Sequence, residues 1–417
     1  MNIPSRKKHF LVLAVLCLAG FISFSSSLKN DYINWDDPVH FLESSATQGL
    51  NANNLHTIFT ETINTIYIPL TTLSFAVEYH FFKHNPFVSH LINVLLHVMV
   101  VMFVYYFCRR LDLSFRAAYI AAFLFAVHPM RVESIAWVTE RKDVLYAVFY
   151  VGAMHAYLTF IQTRKIRFYA AALCCGFLSM LAKPMALSLP LILLLIDYVQ
   201  GRRDWLKVAI EKVPFFLYVI FIASLTVKEN HDIFFLKGGV IAAVLTFVWS
   251  FSFYIVKFLW PLDLSPLYQI PEPISLSNIH FVGAIVVLLG SLYFFISNLR
   301  NRLIVFSTLF FVFSVFFLLR VNPEQLIVVD LVADRYIYLP SLGFCLLIGY
   351  FADQLLNYFR KRNVGLMNAL TGILLIIGIG LGVKSFQQCL VWKDSLTMWG
   401  HVIKQAPDMT FAYISRG

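Results

Sequence analysis

The chain has 417 residues, of which 59% are hydrophobic and 13% charged, with a formal net charge of +10. A soluble domain is about 45–50% apolar, so this composition excludes an ordinary soluble globule. Apolar runs near 20 residues recur along the chain, the mark of a polytopic membrane protein, and no basic patch outside short loops or nucleic-acid motif points to a nucleic-acid partner.

The first segment, MNIPSRKKHFLVLAVLCLAGFISFSSSL, has a basic start and an apolar core. That is the outline of a signal peptide, but in so apolar a chain it reads as a retained first span. Spans are predicted at about 9–27, 87–108, 117–128, 144–161, 168–182, 184–199, 213–227, 279–297, 303–320, 339–357 and 365–383. Basic clusters order them: Arg6/Lys7/Lys8, Arg109/Arg110/Arg116, Arg164/Lys165/Arg167, Arg202/Arg203/Lys207, Arg300/Arg302 and Arg360/Lys361/Arg362 should all face the cytoplasm. An even number of crossings must separate consecutive clusters. The run 168–199 is therefore a hairpin with Lys183-Pro184 at its outer tip. The apolar run 240–260 cannot cross without inverting the later clusters, so it reads as an interfacial or re-entrant helix on the outer face. This gives eleven spans, N-terminus in and C-terminus out.

Charged segments then collect on the outer side. NDYINWDDPVHF (30–41) opens a long loop, 28–86, with Asp36 and Asp37 adjacent and His40 three residues on. In YIPLTTLSFAVEYHFF (67–82), Leu70, Leu73, Val77 and Phe81 fall on one helical stripe. A helix lying on the membrane would leave Glu78 to water or a cleft. HPMRVESIAWVTERKD (128–143) packs His128, Arg131 and Glu133 into six residues. A short polar helix is predicted there, with Glu133, Trp137 and Glu140 on one face and Arg141 flanking the next span. An ordinary interfacial loop with ion pairs is the plainer alternative. Lys183 is either a topology residue or a neutraliser of an anionic head group. In VVDLVADRYIYLPSLGF (328–344), Asp334 and Arg335 lie at the lipid boundary, where charge is costly unless paired or used. An arginine suits a bidentate grip on phosphate, although a snorkelling side chain at a helix end competes with that reading.

Other signals are weak or absent. The six cysteines give no framework, and only Cys389 reads as aqueous. His90 and His97 share a helix face without a third ligand, so packing explains them better than metal. There is no P-loop, no GxGxxG after a strand, no GxSxG elbow and no HExxH.

Several of these blocks together resemble a known family. SHLINVLLH, HPMRVESIAWVTERKDVLYAVFY, LAKPMALSLPLILLLIDY, KFLWPLDLSPLYQIP and ADRYIYLPSLGF are similar to segments of the transmembrane and tetratricopeptide-repeat O-mannosyltransferases and their bacterial relatives. WDDPVHF resembles the acidic motif of protein O-mannosyltransferases, with Asp37 in place of Glu and Pro38 inserted before Val39. The C-terminal KDSLTMWGHVIKQAPDMTFAYISRG (393–417) is similar to part of a tetratricopeptide repeat.

The resemblance implies an all-α, GT-C-type membrane domain over 1–385 and the truncated start of a repeat region over 386–417. It implies a glycosyltransferase using a polyprenyl-phosphate sugar, with mannose and a protein Ser/Thr as the sugar and acceptor the family name suggests. The site would face the periplasm of a bacterial inner membrane, or the ER lumen as the alternative. Asp36 matches the first acid of the motif and is the expected base, with Asp37 beside it; Pro38 keeps the choice between them open. Arg131, Arg335 and Lys183 are the candidates for the donor phosphate. Glu78, His128, Glu133, Arg141, Asp334 and His40 stand behind them. No cofactor is required for a monophosphate donor, whereas a diphosphate would favour Mg²⁺ or Mn²⁺ on the acids. A transporter and a non-catalytic anchor for a repeat scaffold are the rival classes. Charges gathered on one face and the lack of an internal repeat disfavour the transporter.

Overall fold

The computed structural model describes residues 6–64, 66–227, 239–316, 319 and 331–417. Parts of the predicted span 303–320 and the first three residues of VVDLVADRYIYLPSLGF fall outside that range. Among the described residues the chain is helical and no β-strand forms. In order, the helices are α1 (Arg6–Phe24), α2 (Ala52–Thr60), α3 (Pro69–Phe82), α4 (Pro86–Arg110), α5 (Phe115–Val127), α6 (Val132–Ala136), α7 (Arg141–Thr163), α8 (Ile166–Ala182) and α9 (Leu189–Val199). They continue with α10 (Trp205–Val227), α11 (Gly239–Leu259), α12 (Ile279–Ser297), α13 (Arg302–Val315), α14 (Leu342–Arg362), α15 (Val364–Cys389), α16 (Ser395–Gln405) and α17 (Thr410–Arg416).

Eight described helices are long and apolar enough to cross a membrane, and four shorter ones are apolar. All four shorter ones, and every long one except α11, fall on predicted spans. The chain is an integral, multi-pass membrane protein. Exposed Ile and Leu side chains on α12 and α15 give those helices lipid-facing surfaces. α11 occupies the segment read as interfacial or re-entrant, and by length and apolarity it could cross. Its Phe247, Phe251 and Phe258 rings meet Phe316, Phe311 and Phe344.

Sequence chemistry fixes the helix ends. Asn85 accepts from the Val88 amide and Pro86 opens α4; Ser114 accepts from the Ala117 amide at the start of α5. Close helix crossings need glycine. A Cβ on Gly349 would meet the Ala117 carbonyl at 2.5 Å, and one on Gly343 would collide with the Ser307 carbonyl. α14 therefore lies tightly against α5 and α13, which sets the turn before it over the site.

The charges sort to two ends of the bundle. At one end Arg110 bonds Gln162 (2.9 Å), Arg116 pairs with Asp353 (2.9 Å) and Arg302 reaches the Val199 carbonyl (3.4 Å). Basic clusters distant in sequence thus gather at that end. The acidic-pair segment, the 128–140 turn, Lys183 and the 331–341 turn meet at the other. Cys389, read as aqueous, is buried instead, because α15 ends beneath Asn30, whose side-chain amide donates to the Cys389 carbonyl (2.9 Å).

Candidate functional site

Asp36 and Asp37 are adjacent but sit in different environments. Asp37 is wholly buried. One carboxylate oxygen accepts from the Ile33 amide (2.8 Å), and the other accepts from the Thr139 amide (3.0 Å) and the Thr139 hydroxyl. Burial pushes its carboxyl up to about 6, against the pull of those donors. Pro38 opens a single wide turn, Pro38–Leu42, which directs Asp37 inward while Asp36 remains half-buried beside it. Asp37 therefore ties this loop to the 137–140 turn, and Asp36 is the more accessible acid.

The predicted polar helix over the 128–143 segment is broken. α6 ends at Ala136, Trp137 is extended (φ −92, ψ 121), and a short turn, Val138–Glu140, follows. The break frees the Thr139 amide for Asp37. It also lets Glu133 and Glu140 reach one guanidinium from two directions. Glu133 accepts from the Arg335 side chain and from its backbone amide (2.9 Å), and Glu140 lies 3.5 Å from Arg335 Nε. Glu140 also pairs with Lys142 (2.8 Å) and Lys183 (3.1 Å), and Lys183 with Asp143 (2.6 Å). Asp334 accepts from the Tyr268 hydroxyl (2.9 Å). The Arg335 guanidinium lies near the rings of Trp137 (5.5 Å) and Trp35 (6.0 Å). This continuous buried network joins four segments that are far apart in the chain.

The remaining predicted residues divide. Glu78 is buried, paired with Arg141 and bonded by the Ser89 hydroxyl. Asn93 Oδ1 (3.0 Å) and the Ser89 carbonyl (3.2 Å) also accept from Arg141. Of the predicted stripe, Val77 and Phe81 are exposed while Leu70 and Leu73 pack against buried side chains, and Glu78 points into the fold. Arg131 does not join the ionic network. Its guanidinium donates to the Phe125 carbonyl, the Tyr338 carbonyl (2.8 Å) and Ser341 Oγ (2.9 Å), with the Phe125 ring 3.7 Å away. His128 Nε2 donates to the Phe258 carbonyl (2.9 Å), and its ring stacks on Phe258 (4.2 Å). These two residues pin α14 and α11 to the end of α5.

Arg131→Ala is accordingly expected to cost about 2–4 kcal/mol of stability, because it strands buried carbonyls. Thermal melting checks this; an unchanged melt would show that Arg131 does not hold these turns together.

His40 is buried near Lys142 and Glu140. Burial, aided by Lys142, pushes its imidazole down to about 3. The unfolded ring protonates near 6.5 and the folded ring only near 3, so stability falls as pH drops below about 6.5. Asp37, whose pKa is raised, acts in the opposite sense between its ordinary value and about 6. Comparison with His40→Phe isolates the histidine: the melting temperature of the variant should fall less between pH 7 and pH 5 than that of the wild type.

Sequence reasoning did not single out Lys142, Thr139 or Lys257 as site residues. Lys257 is half-buried, donating to the carbonyls of Leu262 (2.7 Å) and Asp263 (3.1 Å), with the Tyr268 ring 5.3 Å away. Its helix also lines an apolar cavity of about 640 Å³ through Phe251, Ile255 and Leu259, facing Phe311 and Phe344. A single lysine within the apolar run 240–260 was the available signal. His40 Nε2 and Trp137 Nε1 have no hydrogen-bond partner among the described residues. No three His, Cys, Asp or Glu side chains among the described residues form a group able to hold a metal ion.

No family model matches the chain. It is 24% identical over 408 residues to Protein O-mannosyl-transferase F38B6.6 of Caenorhabditis elegans, covering 94% of this chain and 56% of that protein. It is 38% identical over 105 residues to human Protein O-mannosyl-transferase TMTC4, covering 22% of this chain and 14% of that protein. In sequence the chain is similar to curated protein O-mannosyl-transferases. It spans little more than half the length of the curated relative that it matches end to end. The fold is of the GT-C type. ArnT from Cupriavidus metallidurans, solved bound to undecaprenyl phosphate, aligns with a TM-score of 0.50 at 12% identity, covering 96% of this chain and 79% of that one. The archaeal oligosaccharyltransferase AglB from Archaeoglobus fulgidus, solved with an inhibitory peptide and a dolichol-phosphate, aligns with a TM-score of 0.52 at 15% identity, covering 99% and 60%. The protein O-mannosyl-transferase likeness thus extends along nearly the whole chain.

Proposed function

We propose that this chain transfers a sugar, mannose by the names of its relatives, from a polyprenyl phosphate to an acceptor hydroxyl such as a protein Ser or Thr. The observation that carries this reading is the pairing of a locked and an accessible carboxylate at the edge of a buried ionic network. The acceptor oxygen attacks the anomeric carbon, the bond from that carbon to the phosphate oxygen breaks, and polyprenyl phosphate leaves. Asp36 takes the acceptor proton, held in place through Asp37 and Thr139. Arg335 and Lys257 face the charge that builds on the phosphate. They are preferred to Arg131, which is wholly buried on carbonyls, and to Lys183, which is held between Glu140 and Asp143, because Lys257 is only half-buried and Arg335 lies against Trp35, next to Asp36. His40 Nε2 and Trp137 Nε1 supply unpaired polar groups for sugar hydroxyls. The groove along α11 and α14 takes the prenyl tail.

The basic clusters at the opposite end support an outer-face site, periplasmic in a bacterial inner membrane or lumenal in the ER. An acceptor polypeptide would approach past the C-terminal repeat-like helices. A photoactivatable polyprenyl monophosphate tests the donor site. It should label α11 and α14 around Ile255, Leu259 and Phe344, and mannose-charged lipid should compete. Labelling spread along the lipid-facing surfaces of α12 and α15, with no competition, would contradict the reading.

A further inference from the structure

Asn34 and Trp35, immediately before Asp36, are held by the C-terminal helix pair. α16 begins at Asp394, whose side chain accepts from the Thr397 amide. It buries Met398, Trp399 and Val402 and turns at Ala406-Pro407-Asp408 into α17. The Asn34 amide donates to Ser395 Oγ (2.9 Å). Its side-chain NH₂ donates to the Ser415 carbonyl (2.8 Å), and its side-chain oxygen accepts from Trp399 Nε1 (2.8 Å). Three residues upstream, the Asp31 amide donates to the Lys393 carbonyl (2.8 Å). The Trp35 ring lies between Trp137 (4.7 Å) and Trp399 (5.3 Å), and Trp137 stacks in turn on Trp392 (5.3 Å). An exposed asparagine making three directed bonds to two helices some 360 residues away adds little to a core. What it does fix is the direction of the backbone entering Asp36.

We infer that the helix pair 395–416 is a positioning element of the Asp36 loop: Asn34 and Trp399 set the approach of the Asp36 carboxylate to the acceptor. The inference rests on the catalytic reading of Asp36. Displacing a base by about 1 Å costs up to 10²-fold in rate, without any effect on donor capture at Arg335 and Lys257.

The test measures kcat and donor KM for the full chain carrying Asn34→Ala, Trp399→Phe, both together, or Asp36→Asn. Ile414→Ser, on the exposed side of α17, is the control. Each single variant should lower kcat about tenfold or more with donor KM unchanged. The double variant should lose no more than the worse single variant, since both remove the same Asn34–Trp399 bond. Melting temperatures normalise for folded protein, and Trp399→Phe retains the ring should Asn34→Ala fold poorly. Wild-type kcat per folded molecule in Asn34→Ala and Trp399→Phe, with Asp36→Asn inactive, overturns the inference alone. Wild-type transfer by Asp36→Asn overturns the catalytic reading beneath it.

Discussion

Asp36→Asn is expected to lower sugar transfer by about 10²–10⁴-fold while leaving the melting temperature close to that of the wild type. An amide keeps the size and polarity of this half-buried side chain but cannot accept the acceptor proton. Asp37→Asn should behave differently. The Asp37 carboxylate receives three donors, two of them backbone amides with no other acceptor among the described residues. An asparagine must present its own NH₂ to one of these sites, so a donor faces a donor, at a cost of about 1–3 kcal/mol. Its activity loss should therefore follow the loss of folded loop. Rates and melts of the two variants, measured side by side, separate the roles. Equal transfer by Asp36→Asn and wild type would remove Asp36 as the base, and a stable but inactive Asp37→Asn would transfer that role to its neighbour.

Lys183→Met should be among the most destabilising single changes in the chain. Lys183 is buried and holds Glu140 and Asp143 together. Its removal leaves Asp143 with the Ser134 hydroxyl (2.9 Å) and the like-charged Glu140 carboxyl, and Glu140 dependent on Lys142 and Arg335 for its cations. Breaking a buried ion pair from one side costs about 3–5 kcal/mol, because the stranded charge stays buried. A large drop in melting temperature, with transfer lost in proportion, is the expected result. If Lys183 instead gripped the donor phosphate, the variant would melt like wild type and show a raised donor KM.

Much of the bundle was legible because membrane spans are encoded by length, apolarity and flanking charge, all local properties. Arg110, Arg116 and Arg302 gather at one end, as the even-crossing argument from the basic clusters requires. The acids and bases of the other end were legible as a set, since charge near lipid is costly enough to be conspicuous. Their partners were not. Arg131 and Arg335 look alike in sequence; one is spent on carbonyls, while the other closes an ionic network. Glu78 and Arg141 belong to different segments, and no periodicity pairs them. The break at Trp137 goes with the Thr139 amide donating to Asp37, a contact across about a hundred residues. Pro38, which clouded the choice between the acids, opens the turn that follows both, and burial distinguishes them. Asn34 carried no local signal, because its partners lie at the far end of the chain.

The most direct measurement is transfer of label from polyprenyl-phosphate mannose to a hydroxyl acceptor by the folded chain in membrane vesicles. A polyprenyl-phosphate-dependent transferase yields labelled, lipid-free product that is lost with Asp36→Asn. Folded wild-type protein that releases no label from any polyprenyl-phosphate sugar would contradict that activity and favour a membrane anchor.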